Sequence, residues 1–166
     1  GVDPARIAIV PLAVDLTHFQ PVPVREEGFR VLSVATVDAR KGAHYLLEAF
    51  TTAALPGAEL EIIGGTGSRW ARALMAQNTR GPHAITLRYA DVLRAPASET
   101  YGRASVLVHA ALEDGFGLVV PQALACGRPV IVTDATGASE LVTDGVNGFV
   151  VPAGSASAIR EKLELL

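Results

Sequence analysis

Two polar side chains flank a glycine turn in the stretch Glu113-Asp114-Gly115-Phe116-Gly117-Leu118-Val119-Val120-Pro121-Gln122. Asp114 stands just before the glycines, and Gln122 lies eight residues further on. A carboxylate and an amide placed this way suit a ligand that carries hydroxyl groups. The glycine turn opens into a helix, and the unpaired N–H groups of a first helical turn, aided by the helix dipole, suit a phosphate. Gly115 and Gly117 let the backbone approach a ligand closely. The plain alternative is that these glycines only make a tight turn between a strand and a helix. Lys41, beside Arg40 and just ahead of another helix, is the second ionic candidate. A lysine there either meets a phosphate or is simply solvated. Cys126, between Ala125 and Gly127, reads as a small buried residue rather than a nucleophile, because no base is near it in sequence.

These residues need a scaffold. Val106-Leu107-Val108 is a short apolar strand that ends just before the glycine turn. Residues 118–125 fit a buried helix. Gly127 sits where a left-handed cap belongs, Pro129 keeps the helix from resuming, and Val130-Ile131-Val132 forms the next strand. Further strands are expected at 7–10, ending at Pro11, and at 29–34, 60–63, 85–87 and 149–151. Helices are expected at 43–55, 68–78, 97–102, 137–142 and from about 155 on, with a double turn over 143–148. Residues 14–24, with Pro21 and Pro23, read as an arm closed by Arg25-Glu26-Glu27-Gly28. From residue 29 the regular β-α alternation, with continuous apolar strands, predicts an α/β fold. It is a Rossmann-like three-layer domain with a parallel sheet of about six strands between helices. Ligands of such sheets bind outside the carboxyl ends of the strands, which selects the loops 35–42, 64–68 and 110–118. Gly64-Gly65-Thr66-Gly67 lacks the third glycine and the later acidic residue of a dinucleotide fingerprint, which sets a nicotinamide or flavin site aside.

A chain of 166 residues with 49% hydrophobic content fits one domain with a sizeable core. A net charge of -3, with no basic run interleaved with aromatics, argues against nucleic acid. The single cysteine excludes an internal disulfide framework and fits a reducing compartment. No apolar run approaches the roughly 20 residues of a membrane span. The chain opens at Gly1-Val2-Asp3-Pro4 and stops inside a helical pattern, so it reads as a domain excised from a longer protein.

The motifs, in this order, resemble the C-terminal, donor-binding domain of retaining glycosyltransferases with the two-domain GT-B fold, specifically the glycosyltransferase group 1 family. Val10-Pro11-Leu12-Ala13-Val14-Asp15, followed by Phe19 and Pro21, is similar to the family's interdomain segment. Lys41-Gly42 with Tyr45-Leu46-Leu47-Glu48-Ala49-Phe50 resembles its first helix. Gly115-Phe116-Gly117-Leu118 and Ala123-Leu124-Ala125-Cys126-Gly127-Arg128-Pro129-Val130-Ile131 resemble its donor motif. Gly137-Ala138-Ser139-Glu140 and Asp144-Gly145-Val146-Asn147-Gly148 resemble the segment that follows.

The resemblance implies transfer of a sugar from a nucleotide diphosphate sugar, with retention at the anomeric carbon. It implies no metal and no cofactor, the nucleotide sugar being the substrate. It implies Lys41 and Asp114 as catalytic residues, with Thr36, Arg40, Gly115, Phe116, Gly117, Leu118 and Gln122 binding the donor. Residues 1–28 become an interdomain linker or arm, and 29–166 the nucleotide-sugar-binding domain. The acceptor domain, N-terminal to it, is expected to be absent, so the isolated domain should transfer little or nothing. The implied setting is cytoplasmic, and peripheral association of the parent with the inner membrane face is compatible with it.

Several positions depart from the family pattern. Asp114 replaces the usual first Glu, Gln122 the second, Thr36 an Arg, and Ala110-Ala111 a Pro-Ser pair. Arg40 is the candidate to supply the charge that Thr36 lacks. Glu113 is an alternative first carboxylate by a one-residue slip, but Asp114 keeps the glycine register. His109 is near the expected site and is read first as a structural histidine. Arg88 and Tyr89 are candidates to flank the nucleobase, with Ala90 at a usual glycine position. The rival readings are a catalytically silent binding or interaction module on the same fold, and, behind it, a sugar-nucleotide epimerase or a phosphorylase.

Overall fold

A computed structural model describes residues 3–8, 10, 12–23, 28–80, 83–88 and 95–166. Six strands form one parallel sheet: β1 (Arg30–Val34), β2 (Glu59–Ile63), β3 (Ala84–Arg88), β4 (Val106–His109), β5 (Val130–Thr133) and β6 (Gly148–Val151). The helices are α1 (Ala43–Thr52), α2 (Arg69–Asn78), α3 (Ala97–Thr100), α4 (Val119–Ala125) and α5 (Ala156–Leu165). The strand order is β3-β2-β1-β4-β5-β6, with every described neighbour pair parallel. The α/β architecture read from the alternation is therefore the one formed.

Successive strand residues point to opposite faces. Val31, Leu60, Ile62, Val106, Val108 and Ile131 pack with Leu46, Leu47 and Phe50 of α1 and Ile159 and Leu163 of α5. Leu32, Val34, Leu107, Val130 and Val132 pack on the other face with Val120 and Ala123 of α4, Tyr101 and Phe19. Each fully buried Leu or Ile contributes on the order of 1.5–3 kcal/mol. Both faces are covered, which is why the central strands read as unbroken apolar runs. β3 lies at an edge, and its Ala84 and Thr86 are exposed.

The ends of the helices follow local chemistry. Ser68 and Ser155 cap α2 and α5, their hydroxyls accepting from Ala71 N–H at 2.9 Å and Ala158 N–H at 3.2 Å. After α4, Gly127 adopts φ 73°. Gly127 N–H bonds to the Leu124 carbonyl at 3.0 Å and Arg128 N–H to the Ala123 carbonyl at 2.9 Å, the paired bonds of a Schellman stop. α1 stops at Thr52, earlier than residue 55. Ala53 is already extended, and the hydroxyls of Thr51 and Thr52 bond back to the carbonyls of Leu47 and Glu48. The short helix expected at 137–142 forms as a 3-10 helix, Gly137–Leu141.

The arm differs most from expectation. Pro4–Arg6 is a 3-10 turn, and Ile7, Ala8 and Val10 belong to no strand. Ile7 and Val10 are exposed and pair with no strand among the described residues, so an extended segment there has no ladder to join. Ile9, Pro11 and the closing Arg25-Glu26-Glu27 fall outside the described residues. Further along, the arm is fastened to the domain. Phe19 is buried, and Val22 N–H donates to the Cys126 carbonyl at 3.3 Å. Arg128, fully buried, donates through Nη2 to the carbonyls of Val22 (2.5 Å), Pro23 (3.1 Å) and Gly102 (3.3 Å). Among the described residues no helix is long and apolar enough to cross a membrane.

Candidate functional site

The strand order reverses between β1 and β4, which pair directly. Chain leaving the carboxyl end of β1 turns one way and chain leaving β4 the other, and a crevice opens between them. Loop 35–42 follows β1 and loop 110–118 follows β4. The two are stitched together, since Leu112 N–H donates to the Arg40 carbonyl at 2.7 Å and Arg40 Nη1 to the Glu113 carbonyl at 3.3 Å. Gly42 makes the approach feasible. It sits at φ 67°, and a Cβ on it would run into the Ala110 carbonyl oxygen.

This closeness brings Lys41 and Asp114 together across 73 residues of sequence, with Nζ 2.5 Å from Oδ2. Lys41 is aimed by its own backbone, whose N–H donates to Asp38 Oδ1 at 2.7 Å. Asp114 is held by its backbone too. Its N–H bonds to the Ala135 carbonyl at 3.1 Å, and its carbonyl accepts from Gly137 N–H at 3.3 Å. His109, the last residue of β4 and almost fully buried, places Nε2 2.9 Å from the same Asp114 Oδ2. Gly117, at φ 82°, leaves the room this needs. A Cβ there would lie 2.7 Å from Thr136 Cγ2 and 3.2 Å from His109 Nε2.

The three groups shape one another's charge. Burial pushes the Asp114 carboxyl up, but hydrogen bonds from Lys41 and His109 outweigh it, and the group is held below its ordinary 3.8. An ionised carboxylate only accepts, so His109 carries a proton on Nε2. Burial also pulls His109 below its ordinary 6.5, with the Lys41 charge adding to the effect and Asp114 opposing it. At neutral pH the site is one lysine cation, one carboxylate and one neutral imidazole.

This has a consequence for stability. Because the folded-state pKa of His109 lies below the unfolded one, the unfolded chain binds a proton first as pH falls. Stability therefore declines below about pH 6.5 and is flat above it as far as His109 is concerned. His109→Gln keeps an N–H donor but cannot titrate, so its urea midpoint should fall less between about pH 7 and about pH 5. Equal slopes for the two proteins would refute this account.

Lys41, His109 and Asp114 line a cleft of about 360 Å³ together with Leu12, Val34, Ala35, Phe116, Gly117, Leu118 and Val119. Of the residues expected from sequence, Lys41, Asp114, Phe116, Gly117 and Leu118 thus share one cleft. Thr36 and Gly115 are exposed nearby without lining it, and Arg40 is exposed beside it on the Glu113 carbonyl. Gln122 is buried, and its Oε1 accepts from the Tyr101 hydroxyl at 2.7 Å. Tyr101, expected inside a helix over 97–102 and found as the C-cap of α3, carried no signal of this contact in the sequence, because its partner lies 21 residues away.

α4 has seven residues, fewer than the stretch 118–125 suggested, with Leu118 as its N-cap and Pro121 in its first turn, where no N–H is missed. The N–H groups of Leu118 and Val119 have no backbone acceptor among the described residues. Gly64 serves packing, because a Cβ there would strike the Ala35 carbonyl, and the Gly65 carbonyl accepts from Val37 N–H at 2.8 Å. Arg88 is paired with Glu61, Nε to Oε1 at 2.8 Å, while Tyr89 and Ala90 fall outside the described residues. Cys126 is buried, and its thiol pKa is pushed up by that burial, which leaves it unreactive.

The family model for glycosyl transferases group 1 matches residues 15–166. The chain belongs to the glycosyl transferases group 1 family. Among its relatives, the D-inositol 3-phosphate glycosyltransferase of Geodermatophilus obscurus is 33% identical over 192 residues, covering 98% of this chain and 41% of the relative. A glycosyltransferase structure from Rickettsia africae superposes with a TM-score of 0.85 at 19% identity, over 99% of this chain and 48% of that one. Anabaena Alr3699/HepE, solved in complex with UDP-glucose, superposes with a TM-score of 0.74 at 23% identity, over 84% of this chain and 39% of that one. This group 1 chain spans less than half the length of the curated relatives it matches.

Proposed function

We propose that this group 1 domain is the donor-binding half of a retaining, metal-independent glycosyltransferase that takes its sugar from a nucleotide diphosphate sugar. The observation that carries the reading is the Lys41–Asp114 pair at the strand-order reversal. Family membership and the UDP-glucose complex of a structural neighbour support it.

The chemistry follows from charge. Transfer breaks the bond between the anomeric carbon and a phosphate oxygen, and the electron pair leaves with the diphosphate. Positive groups fixed beside that oxygen lower the barrier. Lys41 is the group in position, with Arg40 on the same loop and the unpaired N–H groups of Leu118 and Val119 across the cleft. Asp114 Oδ1 accepts no hydrogen bond from a described residue, so it is the acceptor offered to sugar hydroxyls. The donor set needs no resident cofactor or metal for this role. The parent supplies the acceptor site from a further domain and works in the cytoplasm, where a peripheral hold on the inner membrane face would bring it to a lipid acceptor.

Calorimetric titration of the full-length parent and of this domain with UDP, GDP and ADP tests the reading. Saturable binding of one nucleotide is expected, weaker in the isolated domain, and sugar transfer only by the parent. Binding of none by the parent would overturn the donor-site reading. A second reading, a catalytically silent nucleotide-sugar-binding or interaction module, is favoured by one observation. Gln122, expected at the ligand, is buried against Tyr101. It predicts binding without transfer.

A further inference from the structure

We propose that His109 is a positioning residue that holds Asp114 ready for the sugar while Lys41 turns to the phosphate; this rests on the donor-site reading above. Both donors reach the same oxygen, Asp114 Oδ2, Lys41 from 2.5 Å and His109 from 2.9 Å. They differ in kind. Lys41 carries its charge on a flexible four-carbon stem, and its ammonium lies at the cleft. His109 is neutral, sits at the end of a central strand, and is 3% exposed. A diphosphate entering the cleft competes with Asp114 for Lys41 and cannot compete for a neutral, buried imidazole in the same way.

The carboxylate itself makes the second hold necessary. Asp114 has a short stem, and its side chain is largely buried at 16% exposure. A carboxylate that lost its lysine there would face an anion with no donor, and it would turn away or take up a proton. The His109 N–H prevents both. It keeps Oδ2 engaged and leaves Oδ1 pointing to ligand hydroxyls. Gly117 belongs to the same arrangement, since a side chain at that position would occupy the space beside His109 Nε2.

The test uses the full-length parent and compares two probes, the nucleoside diphosphate that binds best among UDP, GDP and ADP, and its glucose conjugate. In His109→Leu the conjugate is expected to bind about tenfold more weakly, the loss of one hydrogen bond to a charged group. The bare diphosphate should bind within about twofold of wild type, because its contacts run through Lys41. His109→Gln, which retains an N–H at about the same reach, should restore the conjugate. Equal weakening of both probes, or of neither, would show a merely structural histidine and overturn the proposal. If His109→Leu does not fold, long-range proton–nitrogen NMR of the wild-type imidazole decides. The Nε2–H form should persist through saturation with the conjugate, and a switch to Nδ1–H would overturn the proposal. A wild-type parent that binds neither probe would instead overturn the donor-site reading itself.

Discussion

Lys41→Ala in the full-length parent should lower turnover on the order of 10²–10³-fold while leaving the protein folded. The lysine is the cation that lines the cleft and stands at the crevice between β1 and β4. In the proposed reaction charge develops on the diphosphate as its bond to the sugar breaks, so a cation held there would act mainly on the transition state. Nucleotide affinity should fall by less, about 10–100-fold, as expected for a charge-assisted contact. The structural cost is smaller still. Both side chains are largely buried, 17% and 16% exposed, but the carboxylate keeps a donor, because His109 still bonds to it. A thermal midpoint close to wild type would separate the two effects. Turnover unchanged by the substitution would overturn the role given to Lys41, and a parent that binds nucleotide sugar but transfers nothing would favour the silent-module reading.

Gly42→Ala should be the most damaging small substitution for stability, at about 2–4 kcal/mol. Two costs add. The residue sits at φ 67° and ψ 23°, a left-handed conformation that costs an L side chain about 1–2 kcal/mol. The new methyl would also meet the Ala110 carbonyl, and backbone cannot rotate away as a side chain can. To relieve it, the start of α1 must lift from the loop after β4, and that movement draws Lys41 away from Asp114. Nucleotide binding should therefore fall with stability. Gly127→Ala is the control, because Gly127 has a similar φ of 73° and nothing within 4 Å of its Cβ position. It should cost only the conformational part, about 1 kcal/mol. Urea unfolding of both variants checks this, and equal losses would mean that the close approach at Ala110 does not matter.

Features set by near neighbours along the chain are legible in the sequence alone. The stop after α4 is an example, since Gly127 and Pro129 impose it through backbone geometry alone, and the paired Schellman bonds are where they should be. The strands are legible because burial on both faces demands unbroken apolar runs. Lys41 and Asp114 stand out because charge and glycine turns at the ends of strands are local signals. The family pattern in residues 15–166 is also a property of the sequence itself.

Only the tertiary structure decided which of these groups meet. Lys41 and Asp114 touch because the strand order reverses between β1 and β4, and no local pattern specifies strand order. His109 gained its contact with Asp114 from a turn five residues later that folds back over it, with Gly117 leaving the space. Gln122 faces Tyr101 because that is how α4 rolls on the sheet, and a helical pattern gives the period of a face but not what it meets. The buried Arg128 found its acceptors in an arm more than 100 residues earlier in the chain. Local bonding writes secondary structure into the sequence at short range. The electrostatics of this site arise from contacts between distant segments, and those exist only once the sheet has brought them together.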